Sequence, residues 1–169
     1  VIRRELLVYP GDVFNEVKVR HSERVVRNLE YFASVRSEAI DTRVPDEKDL
    51  IFTVEEKPTG QFVFGARYSR VNKIEGFVEL TQRNFDLGGW PNFTGGGQKL
   101  KLSAGLGSRR EQFDLKFVEP WFLDRKLSLG VDLFLTRRDY TDYNEDKVGA
   151  AVSLGKALPG PNRVTLRYK

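Results

Sequence analysis

Seven segments between Thr59 and Lys169 alternate apolar with polar residues, and this period of two is the strongest constraint on the fold. In the first of them, TGQFVFGARYSRV, one face carries Phe62, Phe64, Ala66 and Tyr68. The opposite face carries Gln61, Gly65, Arg67 and Ser69, with Val63 as the one exception. Each segment therefore predicts a β-strand with one apolar and one polar face.

The other six segments are GFVELTQRNF, QKLKLSAGLGS, EQFDLKFVEP, KLSLGVDLFLTRR, KVGAAVSLGK and NRVTLRYK. Alternation also occurs in β-sandwiches, so the pattern alone leaves open a soluble sheet and a transmembrane barrel. The polar faces mix charged residues with Gly and Ser, as a barrel lumen does, and short and long connections alternate. We therefore expect about seven antiparallel strands of a transmembrane β-barrel in residues 58–169. The expected lipid-facing residues are Leu100, Leu102, Leu106, Phe113, Leu115, Phe117, Leu129, Val131 and Leu133.

Residues 1–57 have a different pattern, which predicts two helices followed by two strands. Apolar residues at helical spacing precede Pro10, so a first helix is expected to end before it. Asn15 is a candidate N-cap for a second helix that ends near Phe32. The segments SVRSEAID and DLIFTVEE then alternate around the turn-forming RVPDEKD, which predicts an antiparallel hairpin.

Composition excludes several classes of protein. The longest apolar run is far shorter than the roughly 20 residues of a membrane-spanning helix. The absence of cysteine excludes disulfides and thiolate metal sites. A net charge of +4 would suit an anionic membrane surface and nucleic acid equally well, so it distinguishes little. The sequence begins without Met or a leader, so either a signal peptide has been removed or the chain is a piece of a longer protein; because it ends within an alternating segment, we expect the second.

No catalytic or cofactor motif is present in the sequence. His21 is the only histidine, so it has no partner for a triad or a metal site and is expected on a solvated helix face. The glycine-rich GLGSRR and TGGGQK lack the spacing of nucleotide-binding loops. We therefore expect no enzyme activity, no cofactor and no metal.

Three charged clusters remain. The acidic residues Asp139, Asp142, Glu145 and Asp146 lack EF-hand spacing, so a solvated extracellular loop is expected rather than a calcium site. The pairs Arg109-Arg110 and Arg137-Arg138 lie at predicted strand ends, where they would contact either lipid headgroups or solvent. Nucleic-acid binding is not expected, because the aromatic residues lie opposite the charges.

Three motifs carry a resemblance to a known family. The first comprises RRELLVYPGDVFN and SERVVRNLEYFASV, with the matching residues Arg3, Arg4, Glu5, Gly11, Asn15, Ser22, Leu29 and Phe32. The second is VEEKPTG, with Val54, Glu55, Thr59 and Gly60, and the third is FVEPWFLDRKLSLGVDLF, with Pro120, Phe122, Leu129 and Gly130. In this order, the motifs resemble the two helices of a POTRA domain, the junction between the last POTRA domain and the first barrel strand, and a later barrel hairpin of the BamA family of outer-membrane β-barrel assembly factors. The sequence departs from the family pattern in the long turn from Asn84 to Gln98, which we expect either to fold back on itself or to contact a partner.

The resemblance implies a partial POTRA domain at 1–57, located in the periplasm, and the N-terminal strands of an outer-membrane barrel at 58–169. It implies the folding and insertion of β-barrel clients, with outer-membrane lipids, unfolded clients and periplasmic accessory lipoproteins as partners. The alternatives are a two-partner secretion or protein-import pore of the same superfamily, a soluble α+β binding module and, less well supported, a diffusion porin.

The first strand is the expected functional element, because as the first strand of a barrel it would face the closing seam. An edge strand exposes main-chain donors and acceptors that can template an incoming strand. Gly60 and Gly65 would either ease opening of this strand or, for Gly65, relieve crowding in the lumen. The expected lateral-gate residues are Gly60, Gln61, Phe62, Val63, Phe64, Gly65, Ala66, Arg67 and Tyr68.

Overall fold

The structure, a computed structural model, describes residues 1–70, 73–158 and 162–169. The chain divides into two compact units, Val1–Thr59 and Gly60–Lys169. Within the described residues, no helix has the length and apolar character needed to cross a membrane. Strands outweigh helices, and both sheets are antiparallel, so the mainly β, antiparallel character predicted from the sequence is confirmed.

The first unit contains α1 (Ile2–Glu5), α2 (Glu16–Asn28), β1 (Phe32–Asp41) and β2 (Lys48–Glu56). Its core is a cluster in which Val26 of α2 packs with Tyr31, Phe32 and Val35. The buried Ser22 hydroxyl donates to the carbonyl of Lys18 and accepts from the Leu7 N–H, which holds the chain after α1 against α2.

The β1–β2 hairpin is closed at its turn by an ion pair. Lys48 Nζ lies 2.7 Å from Asp41 Oδ1, and this hydrogen bond holds the pKa of Asp41 below its ordinary value. Asp41 and Lys48 are also the last pair of partners in the β1–β2 ladder, so the ion pair lies at the turn end of the hairpin.

Both helices are shorter than the sequence predicts. The first ends at Glu5, because Leu6 is already extended; a helix of this length is held by packing rather than by its own hydrogen bonds. The second ends at Asn28, where Glu30 adopts a φ of 61° and turns the chain, and Phe32 begins β1 instead of ending the helix.

Asn15 caps α2 as the sequence predicts. Its Oδ1 accepts hydrogen bonds from the N–H groups of Val17 (3.0 Å) and Lys18 (3.1 Å), which otherwise lack intrahelical partners. We expect Asn15→Ala to destabilise α2 by about 1 kcal/mol, and Asn15→Ser to have little effect because it keeps an acceptor. Amide hydrogen exchange across α2 measures the difference, and equal protection in both variants would contradict it.

The second unit is a seven-stranded antiparallel sheet in which each strand pairs with its neighbours in sequence. Its strands are β3 (Gly60–Ser69), β4 (Lys73–Phe85), β5 (Gln98–Gly107), β6 (Arg110–Glu119), β7 (Leu127–Asp139), β8 (Asn144–Ala157) and β9 (Arg163–Tyr168). All seven lie on the alternating segments identified in the sequence. The long connections 86–97 and 120–126 are at the end where β3 begins, and the short ones, 108–109 and 140–143, are at the opposite end.

The Asn84–Gln98 turn folds back on itself, which is one of the two outcomes expected from the sequence. Gly95 N–H donates to the Asn84 carbonyl at 2.9 Å, and Gly97 N–H donates to Asn84 Oδ1 at 2.9 Å. An isolated β-bridge joins Phe85 to Thr94 within this turn. The connection is therefore a folded structure of its own rather than an extended loop.

Candidate functional site

Strand register brings the apolar residues of the second unit together on one face of the sheet. Cross-strand partners form two continuous apolar rows that run from β3 to β8. One row is Phe62, Leu80, Leu102, Leu115, Leu133 and Ala150, and the next is Phe64, Val78, Ala104, Phe113, Leu135 and Val148. All nine residues predicted to face lipid lie on this same face, which we call the apolar face.

The apolar face is open, and the opposite, polar face is the more shielded one. Leu133 is 46% exposed and Val148 is 78% exposed, whereas Ala151 and Glu75, on the polar face, are 2% and 1% exposed. Complete burial of a Leu or Val side chain is worth about 1.5–3 kcal/mol, so in water these exposed side chains forgo part of that free energy. No second layer of the second unit covers this face in the described residues, which is the reverse of the arrangement in a soluble sandwich.

Ion pairs connect different strands on the polar face. Lys101 Nζ lies 2.8 Å from Glu79 Oε2, between β5 and β4. Arg167 Nη2 lies 2.7 Å from Asp132 Oδ2, although β9 and β7 are separated by β8. These two pairs each join charged residues that alternate with apolar ones in their own strands.

The most shielded of these pairs joins β3 to β4. Arg67 Nε and Nη2 donate to the two carboxylate oxygens of Glu75 at 3.1 and 2.7 Å. Glu75 fits because β5 carries glycine beside it: a Cβ at Gly105 would lie 2.6 Å from Glu75 Oε1. The alternation pattern does not predict this pairing, and its local signal in the sequence is the glycine at alternate positions of β5, Gly105 and Gly107.

An aromatic ring, that of Phe77, packs beside this pair and over Gly65. The Phe77 ring lies across Gly65, where a Cβ would come within 3.1 Å of it, and the Arg67 guanidinium lies 5.7 Å from the ring centroid. The space above Gly65 is therefore occupied, which favours the interpretation that this glycine relieves crowding. Phe134, an apolar residue on the polar face of β7, likewise lies over a glycine, Gly149.

The predicted lateral-gate strand is one edge of the sheet. Every residue of β3, from Gly60 to Ser69, has a partner on β4. On its other side, no strand of the described residues pairs with it. In an antiparallel ladder, alternate residues direct their N–H and C=O groups away from the paired neighbour, so this edge presents unpaired main-chain groups. Phe64 and Tyr68 of this strand are 73% and 70% exposed.

The remaining candidate residues do not assemble into a chemical site. His21 lies exposed on α2. Among the acidic residues near the β7–β8 turn, Glu145 pairs with Lys147 and Asp146 with Arg137. Over residues 1–70, 73–158 and 162–169, no group of three or more His, Cys, Asp and Glu side chains is arranged to hold a metal ion.

The two basic pairs are divided between the faces. Arg110 lies opposite Arg138 in the β6–β7 register, and Arg138 donates to the Tyr140 hydroxyl at 2.8 Å. Arg137 is on the apolar side at the sheet's rim, 3.8 Å from Glu111 and 3.6 Å from Asp146. Arg110 also donates to the Gln112 side chain, so Arg110, Arg137 and Arg138 all contact polar groups of the protein itself.

Two family models match the chain in order. The POTRA model, described as a surface antigen variable number repeat, matches residues 1–57, and the Omp85 superfamily domain matches residues 92–169. The chain is 35% identical over 161 residues to a Treponema pallidum protein whose provisional name is outer membrane protein assembly factor. This match covers 95% of the chain and 18% of the relative.

Further relatives carry the same description. The chain is 29% identical to the outer membrane protein assembly factor BamA of Nitratidesulfovibrio vulgaris, across 94% of the chain and 19% of that protein. It thus spans about a fifth of the length of these curated relatives.

The fold also has a solved counterpart. The crystal structure of BamA from Haemophilus ducreyi lacking POTRA domains 1–3 matches 98% of the chain and 31% of that structure, with a TM-score of 0.77 and 23% identity. Family models over both parts of the chain, assembly-factor relatives and a shared fold agree, and the chain belongs to the BamA family of the Omp85 superfamily.

Proposed function

We propose that this chain takes part in the folding and insertion of β-barrel proteins into the outer membrane, as the last POTRA domain and first barrel strands of an assembly factor. The observation that carries the proposal is the exposed apolar face extending over six neighbouring strands, opposite a shielded polar face. Hydrocarbon tails would cover the apolar face, and the polar face would line the lumen. The names of the relatives support the same role.

In this proposal, residues 58–169 are the N-terminal strands of an outer-membrane barrel, and residues 1–57 are a periplasmic partial POTRA domain. Outer-membrane lipids, unfolded β-barrel clients and periplasmic accessory lipoproteins are the partners. A soluble α+β binding module is disfavoured, because the sheet leaves its apolar face open to solvent. Folding and insertion of a client barrel require no covalent chemistry, so the proposal assigns no catalytic residue and no cofactor.

The free edge of β3 supplies a mechanism. Within hydrocarbon, each unpaired main-chain group costs several kcal/mol, so an edge facing the membrane strongly favours pairing with an incoming strand. Such pairing depends on the backbone and accepts clients of different sequence. The Arg67–Glu75 ion pair and the ten-residue ladder hold β3 on β4 while its other edge is engaged.

Cysteine crosslinking in the full-length protein tests the templating step. Single cysteines at Gln61 and Val63, two residues apart on β3, are paired with cysteines along a client's terminal strand during assembly in cells. We expect disulfides in one register, so that moving two residues on β3 moves the client partner by two residues.

Gln112→Cys is the matched control, because β6 is paired on both sides and has no free edge. Templating would be refuted if clients assemble normally while β3 shows no more crosslinking than β6, or shows crosslinks without a register.

A further inference from the structure

The connection between β4 and β5 extends the apolar face beyond the end of the strands. A bulge between Gln82 and Phe85 shifts the register, so Phe85 pairs with Gln98 and joins the apolar face instead of the polar one. Its ring meets Phe117 of that face edge-on at 6.4 Å and stacks on Phe93 at 6.0 Å. Trp90 then packs edge-on against Phe93 at 5.5 Å. The four rings form a continuous aromatic row that ends at Trp90.

Backbone hydrogen bonds make this connection a defined platform. Asp86 N–H donates to the Phe93 carbonyl at 2.9 Å, and Phe93 N–H donates to the Gly89 carbonyl at 2.7 Å. Glycine is required at Gly96, because a Cβ there would lie 2.8 Å from the Phe85 carbonyl oxygen. The platform thus fixes the position of Phe93, on which Trp90 rests.

A side-chain bridge joins the platform to the next connection at the same end. Gln98 accepts from the Leu87 N–H at 2.9 Å and donates to Glu119 at 2.8 Å. Glu119 in turn accepts from the Trp121 N–H at 2.9 Å. Both tryptophans of the chain are therefore held at one end of the sheet, the end where β3 begins.

The tip of the platform is uncharged and apolar. Residues 87–97, LGGWPNFTGGG, contain no charged residue. Trp90 is 80% exposed and Leu87 is 66% exposed. Connections on the periplasmic side of outer-membrane barrels are usually short, so a twelve-residue connection with an exposed tryptophan needs a reason other than joining two strands.

We propose that residues 86–97 form an interfacial anchor that inserts Trp90 and Leu87 into the lipid headgroup region. This inference rests on the proposed function and adds a lipid contact to it. The occupant is a lipid surface because the aromatic row is continuous with the apolar face, which the proposal places against hydrocarbon. Tryptophan prefers this depth, since its ring is apolar and its N–H needs a polar partner.

The anchor fixes the depth of the β4–β5 end beside the free edge of β3. The β3–β4 ladder is continuous, so a fixed β4 also limits vertical displacement of β3 in the bilayer. A client strand that pairs with β3 would then enter the membrane at a defined height.

Spin-label depth measurements on the full-length protein test the anchor. The protein is reconstituted in phosphatidylethanolamine–phosphatidylglycerol vesicles with a nitroxide at Asn92→Cys. This chain contains no other cysteine, and any outside it are replaced. Collisions with oxygen and with a water-soluble nickel chelate give the label's depth. We expect an interfacial depth with Trp90 present and a shift toward the aqueous value with Trp90→Ser.

Two reference labels separate this inference from the proposed function. Arg43→Cys, on the exposed β1–β2 turn, gives the aqueous value, and Leu133→Cys, on the apolar face, gives the hydrocarbon value. An aqueous Asn92 label beside a hydrocarbon Leu133 label would overturn the anchor alone. A label shielded from both reagents would overturn it too, because protein would then cover the tip. An aqueous Leu133 label would overturn the proposed function. If labelling at Asn92 prevents folding, Thr94→Cys provides the same comparison.

Discussion

Leu102→Arg is expected to destabilise the membrane-inserted protein by about 2–4 kcal/mol, the cost of an arginine near the bilayer midplane on the lipid face of a barrel. Leu102 lies in the middle of β5, between Leu80 and Leu115 in the apolar row. The arginine would replace an apolar contact on both sides and face hydrocarbon. Urea titration of the full-length protein folded into vesicles measures the loss.

The adjacent position supplies the matched control. Ser103 lies on the same strand but on the polar face, between Glu79 and Asp114 in the register. Ser103→Arg introduces the same charge next to two carboxylates, so we expect little or no loss of stability. Equal destabilisation by both substitutions would mean that the two faces have similar surroundings, and the membrane placement of this sheet would fail.

Arg67→Met is expected to cost about 1–3 kcal/mol, the range for hydrogen bonds to charged groups. The substitution leaves the Glu75 carboxylate, 1% exposed, without its bidentate partner. The estimate stays below that for a fully buried ion pair because the Arg67 side chain is 57% exposed. Urea titration and hydrogen exchange on β3 and β4 measure the effect.

A second substitution tests the cause of that loss. Glu75→Gln in the Arg67→Met background removes the uncompensated charge, so the double variant is expected to recover part of the stability. Arg137→Met is the control, because its partners Glu111 and Asp146 lie 3.8 and 3.6 Å away at an exposed rim, where such pairs contribute less than about 1 kcal/mol. Strictly additive effects of the Arg67 and Glu75 substitutions would contradict a direct interaction between them.

The strands of the second unit were predictable because the pleat imposes a period of two on any sheet with unlike faces. Alternation places Leu100, Leu115 and Leu133 each on the apolar face of its own strand, and this assignment does not depend on residues elsewhere in the chain. The Asn15 cap was predictable for a similar reason, since capping depends on an acceptor within the first turn. The lengths of the first two helices were not, because they end where packing against β1 and the turn at Glu30 require it.

Features that depend on two distant segments were absent from the sequence pattern. The Arg67–Glu75 pair depends on the β3–β4 register and on room beside Gly105, which lies 30 positions beyond Glu75. The bulge that moves Phe85 to the apolar face breaks the alternation rule itself, so counting by two assigns that ring to the wrong face.

Side-chain alternation, a local property of extended backbone, was enough to predict seven strands that each have one apolar and one polar face. Only the folded sheet decided which charges are paired and where the aromatic row ends. Those depend on register, bulges and cross-strand neighbours, and residues far apart in the chain set them only when the sheet assembles.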